Sequence, residues 1–287
     1  MTLRLLRKED IPFAMSLKEA AGWNQTRENW EDFLSFRPEG CFLALAGDRP
    51  AGTVTTIDYQ GLVGWIGMLL VLPELRGRGT GTELLKKAME SLERCDTVKL
   101  DATPAGKRIY APMGFLDEAI LERRVRARAS TAGEADSSSR PDAGEISPLE
   151  RTELPAVLPL DAEAFGVSRE KVLKAWLQDA PAYACLVREG GAIRGFCLGR
   201  KGSRHEQLGP LVADSFSVAR ALVDHALKVA GDRSIVLDAT TGSAPWLGFL
   251  DALGFAVERP FTRMYRGPNR SPERKGLVWA IAGPEVG

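Results

Sequence analysis

Apolar and polar residues follow two periods along this chain, and the order in which the periods occur is written twice. Near the start, "LLRKEDIPFAMSL" passes from an apolar-led strand into Asp10-Ile11-Pro12, and later "ISPLERTELPAVLPL" passes into Glu153-Leu154-Pro155. Proline in a first helical turn is a start signal, so each copy reads strand, then helix. "TRENWEDFL" and "SREKVLKAWL" follow, amphipathic runs behind Thr26 and Ser168, residues suited to cap a helix N-terminus. "GCFLALAGDRPAGTVTTI" and "YACLVREGGAIRGFCLGR" both alternate, turn through polar and glycine residues, and alternate again, which predicts a β-hairpin in each copy. Leu84, Leu85, Ala88, Met89 and Leu92 recur at helical spacing, as do Ala219, Leu222, Val223, Ala226 and Leu227. Each helix leads to a β-branched run ending in the same tetrapeptide, "TVKLDAT" and "SIVLDAT", and then through "MGF" or "LGF" to a last strand.

The two series lie about 140 residues apart, and one ordered series repeated in full indicates a tandem duplication. Strands and helices in this order predict an α+β fold in each copy, with a mixed, mostly antiparallel sheet flanked by helices. The stretch "ARASTAGEADSSSRPDAGEIS" between the copies has linker composition. The expected organisation is therefore a first domain over residues 1–126, a linker over 127–145, a second domain over 146–268 and a tail over 269–287. A length of 287 residues suits two cores better than one.

Charge and cysteine content narrow the chemistry. Lysine plus arginine equals aspartate plus glutamate at 38 each, so the overall field favours neither nucleic acid nor an anionic membrane, and neither is expected as a partner. Cys41, Cys95, Cys185 and Cys197 lack metal-ligand spacing and have only His205 and His225 to help them, so buried reduced thiols in a cytoplasmic protein are expected, with no metal. The longest apolar stretch, "GLVGWIGMLLVL", is too short to span a bilayer, and the N-terminus does not read as a secretory signal.

Local charge concentrates at one place. In the first copy the strand "WIGMLLVL" runs through Pro73 into Arg76-Gly77-Arg78-Gly79-Thr80-Gly81-Thr82 and an amphipathic helix. Glycines let successive N–H groups approach an anion, the helix N-terminus adds its dipole, and two arginines add charge, which describes a pyrophosphate cradle. The pattern is neither a P-loop, which would end in Gly-Lys-Ser/Thr, nor the Rossmann G-x-G-x-x-G. Arg76-x-x-Gly79-x-Gly81 after a strand resembles the coenzyme A loop of the GNAT N-acetyltransferase superfamily. Tyr110, four residues before Gly114-Phe115, resembles a later element of the same family. The resemblance covers residues 1 to about 125 directly and reaches the second copy through the repeat and "TRMY".

That resemblance implies acetyl transfer from acetyl-CoA to an amine of a small molecule or peptide. It implies a backbone N–H at Leu70 or Val71 polarising the acetyl carbonyl, and Tyr110 donating to the departing thiolate. Trp23, Asn24 and Gln25 fall where the family builds its acceptor wall, a place equally suited to a helix cap with a packed tryptophan. The base is missing from its usual strand, since Gly64 to Leu72 contains no carboxylate; Asp58, Glu39 and Asp101 are the candidates within reach by sequence. In the second copy Asp214, Ser217 and Ala219 fall opposite Arg76, Gly79 and Gly81, and Leu250 opposite Tyr110, so that copy reads as catalytically silent. The expected activity is an N-acetyltransferase working in the first domain. The alternative is a coenzyme A-binding regulator or scaffold without turnover.

Overall fold

The protein is described by a computed structural model that covers residues 1–128 and 144–287; the centre of the expected linker lies outside the described residues. In chain order the first copy contains β1 (Thr2–Leu5), α1 (Ile11–Ala20), α2 (Arg27–Phe36), β2 (Phe42–Ala46), β3 (Arg49–Tyr59), β4 (Val63–Val71), α3 (Thr80–Ser91), β5 (Thr97–Ala102), α4 (Pro104–Tyr110) and β6 (Leu116–Arg126). The second contains β7 (Glu145–Pro148), α5 (Leu154–Phe165), α6 (Glu170–Asp179), β8 (Cys185–Glu189), β9 (Ala192–Arg200), β10 (Glu206–Ala213), α7 (Phe216–Ala230), β11 (Ile235–Thr240), α8 (Ala244–Ala252) and β12 (Ala256–Arg266), followed by a short strand β13 (Val278–Ala280). The α+β reading and the two hairpins are therefore present.

Helix starts follow the expected chemistry with one exception. Pro12 and Pro155 stand in the first turns of α1 and α5, and Thr26 caps α2 by accepting the Asn29 N–H at 3.3 Å. Ser168, however, does not cap α6. That helix begins after Arg169, whose guanidinium folds back onto buried Asp161 at 2.9 Å, so an ion pair rather than a hydroxyl fixes the turn.

The chain forms two compact units: residues 1–118 with 262–271 and 284–287, and residues 119–261 with 272–283. Each unit is non-contiguous because the last strands are exchanged. Within the first unit, β5 pairs antiparallel with the end of β12, Asp101 opposite Arg263. Within the second, β11 pairs antiparallel with β6, Asp238 opposite Arg123. Duplication explains why this exchange is tolerated: each last strand carries an arginine at the register position that the duplicated Leu-Asp-Ala-Thr sequence requires, so either strand satisfies either aspartate.

In the first unit the strand order is β1-β2-β3-β4-β5-β12, all neighbours antiparallel except β4 and β5. Successive residues of β3 from Ala51 to Ile57 are buried, so both faces of the sheet are covered. Leu84, Leu85 and Ala88 of α3, with Leu92 at its C-terminal cap, pack on one face with Val54 and Ile66. Helices α1 and α2 cover the other with Ile11, Leu17, Trp30 and Phe33. In the second unit, α7 and α8 pack Leu222, Val223, Ala226, Trp246 and Leu250 against β8 to β11.

Candidate active site

The site begins with a defect in β4. Thr55 pairs with Gly67 but Thr53 pairs with Leu70, so Met68 and Leu69 together oppose the single residue Val54. Met68 takes a left-handed backbone (φ 49°), and the Thr53 hydroxyl donates to its carbonyl at 3.0 Å. A bulge bends the bulged strand. Correspondingly, β4 pairs with β5 only from Val63 to Trp65, and among the described residues no strand pairs with β4 on that side beyond Trp65. The two parallel strands therefore open into a split.

Backbone direction sorts the two strand residues singled out from sequence. The Leu72 N–H donates to Ala51 O of β3 at 2.9 Å. N–H groups alternate sides along a strand, so Leu70 also points at β3, and Val71 points at the split. Only Val71 is oriented to polarise an oxygen held there.

After β4 the chain turns through Pro73–Leu75 and an exposed loop to the start of α3. Gly77 and Gly79 adopt φ 74° and 87°, and nothing lies within 4 Å of where a Cβ would be, so glycine serves their conformation rather than space. Gly79 caps α3 without any side-chain bond, which leaves the first-turn N–H groups of Thr80, Gly81 and Thr82 without intrahelical acceptors. Gly81 differs: a Cβ there would make only ordinary contacts with Leu69, Val71 and Ile109 at 3.7 to 3.9 Å. Its own fold does not demand glycine. Arg76 anchors the loop by donating from Nε to Val71 O at 3.2 Å, and Arg78 is exposed. An uncapped helix end, two arginines and an open split fit a coenzyme A pyrophosphate and its acyl arm.

Tyr110 lies at the end of α4, 8% exposed, with its ring tilted against Phe115 at 6.1 Å. Gly106, one helical turn earlier, makes this pose possible, since a Cβ there would lie 2.8 Å from the tyrosine ring. The sequence reading passed over Gly106; its position four residues before Tyr110 was the available signal. Burial pushes the Tyr110 phenol up to about 12.

The carboxylates considered as base are engaged elsewhere. Asp101 is bound by both arms of Arg263 at 2.8 Å, and both side chains are fully buried. Asp58 accepts the Gly61 N–H in the β3–β4 turn, at the far end of the strand from the split. Glu39 is exposed beside Arg37. Between α1 and α2, Asn24 and Gln25 are buried and Trp23 is half-buried, its N–H bonded to Lys18 O at 2.8 Å.

The corresponding place in the second unit is filled. Gly52 and Gly195 are equivalent, each facing the carbonyl of the next strand where a Cβ would lie 2.6 Å from Leu70 O or 2.7 Å from Val212 O. This makes Ala213 the counterpart of Val71. The Ala213 N–H donates to Leu277 O at 2.9 Å, and β13 pairs antiparallel with both β10 and β11, wedged where the first unit is open. Trp279 anchors the wedge, donating to Ala213 O at 2.9 Å and packing on Phe216 and Trp246. The loop is missing as well. Eight residues (72–79) separate β4 from α3, whereas Asp214 and Ser215 alone separate β10 from α7, so no residue of the second copy stands opposite Arg76 or Arg78. Asp214 instead pairs with Arg194, and the Ser215 hydroxyl caps α7. Leu250 is fully buried core.

His205 bonds the Ser234 hydroxyl at 2.8 Å, and burial lowers both histidines. Among the described residues no cluster of histidine, cysteine and carboxylate side chains is arranged to hold a metal, and no helix is long and apolar enough to cross a membrane.

Comparison with known proteins agrees with this geometry. A sequence model of the acetyltransferase (GNAT) family matches residues 8–115, and one of the acetyltransferase (GNAT) domain matches residues 157–280. The chain is 26% identical over 271 residues to a holothin acyltransferase of Pseudoalteromonas sp. (strain SANK 73390), covering 93% of this chain and 88% of the relative. It is 33% identical over 92 residues to the N-alpha-acetyltransferase MAK3 of Arabidopsis thaliana, but this match covers 29% of the chain and 48% of that protein. A solved structure from Pyrococcus horikoshii, titled as an acetyltransferase, superimposes with a TM-score of 0.80 at 26% identity, covering 100% of this chain and 95% of that one. Both halves of the chain thus belong to the GNAT N-acetyltransferase superfamily, as a tandem of two GNAT domains.

Proposed function

We propose that the first unit transfers an acetyl group from acetyl-CoA to an amine of a small molecule or peptide, and that the second unit binds no coenzyme A. The asymmetry of the two splits carries this reading: one is open beside an uncapped helix, and the other is stopped by β13.

The residues of the first unit divide the work. Arg76, Gly77, Arg78, Gly79, Thr80, Gly81 and Thr82 hold the pyrophosphate on the α3 N-terminus. The Val71 N–H, fixed in direction by the bulge, donates to the carbonyl oxygen as negative charge develops on it. Tyr110 stays protonated across the working pH range and donates a hydrogen bond to the departing sulfur. Complete transfer from a phenol near 12 to a thiolate whose parent pKa is roughly 8.5 would be uphill by roughly 5 kcal/mol, so the tyrosine stabilises the thiolate without being emptied of its proton. Trp23, Asn24 and Gln25 wall the acceptor side. Gln25 Oε1, buried and without a hydrogen-bond partner among the described residues, suits an amine N–H.

The acceptor is narrowed by the relatives only in class. A relative that matches across both domains is named a holothin acyltransferase, and those named as N-alpha-acetyltransferases match about a third of the chain. Calorimetric titration with acetyl-CoA, followed by thiol release with a panel of amines, tests the proposal. One equivalent bound per chain and acceptor-dependent release are expected. Tight binding with no acceptor-dependent release would instead favour the regulator reading, which the carboxylate-free β4 keeps in play.

A further inference from the structure

Two glycines of β4 mark the two faces of the first unit's sheet. A Cβ on Gly64 would lie 2.9 Å from the Leu92 side chain, on the face where α3 packs. A Cβ on Gly67 would lie 2.6 Å from Glu285 O and 2.9 Å from Glu285 Cα. Side chains alternate along a strand, so Trp65 and Gly67 look away from α3, with Ile57 and Tyr59 of β3 beside them. Residues 284–287, which belong to the first unit, therefore lie against the face opposite α3. Gly67 is absent from the positive-φ positions, so glycine is there to make room for this segment.

The segment is held as a bound peptide is held, through its main chain. The Trp65 indole donates to Pro284 O at 3.0 Å, and the Tyr59 hydroxyl donates to Val286 O at 2.6 Å. Between and beside these bonds Glu285 is 3% exposed and Val286 is fully buried.

Position gives the arrangement its meaning. The α3 N-terminus meets the split from the other face, since a Cβ on Gly81 would touch Leu69 and Val71, which pack with the α3 cluster. An acyl arm held on α3 enters the split from that side, and the attacking nitrogen reaches the carbonyl from the face of Trp65 and Gly67. On that face β4 pairs with β5 only as far as Trp65, and Gly67 is the last residue before the Met68 bulge. Segment 284–287 thus stands over the place where the split begins. A polypeptide acceptor must lay its main chain there, in a strip about 5 Å wide with polar groups to hold it. The protein's own segment has taken the strip and is bonded to Trp65 and Tyr59 within it.

We propose that residues 284–287 make the acceptor a small-molecule amine and exclude a polypeptide N-terminus. This rests on the acetyl-transfer reading of the first unit. A small amine has only to bring its nitrogen into the split. A polypeptide must first displace the segment, breaking both main-chain bonds and exposing Val286, with no equal contact regained.

The test compares thiol release from acetyl-CoA with small primary amines and with tetrapeptides that have a free N-terminus. In the full-length protein kcat/KM should favour the best small amine by about 100-fold or more. Deleting residues 284–287 should narrow that ratio by about tenfold through a rise in turnover of the peptides, with acetyl-CoA affinity by calorimetry within about twofold of wild type. If the deletion variant fails to bind acetyl-CoA, Gly67→Ala decides instead, because its methyl must push the segment aside, and the ratio should move in the same direction. Wild-type protein that uses tetrapeptides as well as small amines overturns the proposal and leaves acetyl transfer standing. So does a variant in which peptide turnover does not rise. Wild-type protein that binds acetyl-CoA yet releases no thiol with either class overturns the acetyl-transfer reading and this proposal together.

Discussion

Arg263 grips Asp101 through two parallel hydrogen bonds of 2.8 Å, Nε to Oδ1 and Nη2 to Oδ2, with its guanidinium 4.8 Å from the centre of the Trp65 ring and neither partner exposed. In the second unit Arg123 holds Asp238 through the same two atoms at the same distances. The repeated Leu-Asp-Ala-Thr is thus one half of a lock whose other half is carried by the opposite copy. Arg263→Ala would strand a buried carboxylate and should destabilise by about 3–5 kcal/mol, whereas Arg263→Met combined with Asp101→Leu should lie much nearer wild type. Urea unfolding of the two variants checks this; equal losses would show that the pair is uncoupled.

Gly79 and Gly81 should separate conformation from ligand space. Gly79→Ala forces a left-handed backbone on alanine and should lower stability by about 1–2 kcal/mol. Gly81→Ala sits in a helical first turn with room for a methyl, so its melting temperature should not fall. Its acetyl-CoA affinity should nevertheless drop about tenfold or more, equivalent to roughly 1.4 kcal/mol, because the methyl occupies the approach of the pyrophosphate. Thermal melts and calorimetry on both variants distinguish the two effects.

Tyr110→Phe should reduce kcat by about 100-fold with acetyl-CoA affinity nearly unchanged, the pattern of an interaction made as the sulfur leaves. The raised pKa also has a stability consequence. Burial favours the neutral phenol in the folded state, so the contribution is complete below pH 10, the unfolded value, and is lost as pH rises toward about 12. Alkaline unfolding followed by tyrosinate absorbance should begin later in Tyr110→Phe than in wild type.

Trp279→Ala should cost about 3–5 kcal/mol, since a large buried ring and its bond to Ala213 O are both lost. Binding of acetyl-CoA should remain at one equivalent, because the loop between β10 and α7 holds no glycine cradle to replace the wedge. A second equivalent in this variant would contradict the assignment of binding to the first unit.

All four cysteines should resist a thiol reagent such as Ellman's in the native protein at pH 8 and react after denaturation. Burial pushes Cys41, Cys95 and Cys185 up to about 12 and raises Cys197 well above the ordinary thiol value, so the reactive thiolate is scarce. These shifts favour the neutral thiols in the folded state, a contribution present below pH 9 and lost as pH rises through 12.

Much of this was legible in the sequence. Hydrophobic period fixes which residues face a core, so the hairpins, the amphipathic helices, the duplication and the α+β class follow from it. The glycine-rich turn of Arg76, Gly79 and Gly81 leading into α3 was legible because it is built from consecutive residues. The place of Tyr110 at the end of a helix just before Gly114-Phe115 was legible because that spacing is local. What could not be read were relations between residues far apart in the chain. Nothing in the order of residues shows that Arg263 serves Asp101, that β13 closes the split beside Ala213, or that Glu285 rests on Gly67. Those depend on strand register and on where the chain after residue 266 runs, both set by the burial of Trp279, Val286 and the paired charges together. Local periodicity determined the elements and the cradle; only long-range packing decided which unit each last strand completes and which of the two splits stays open.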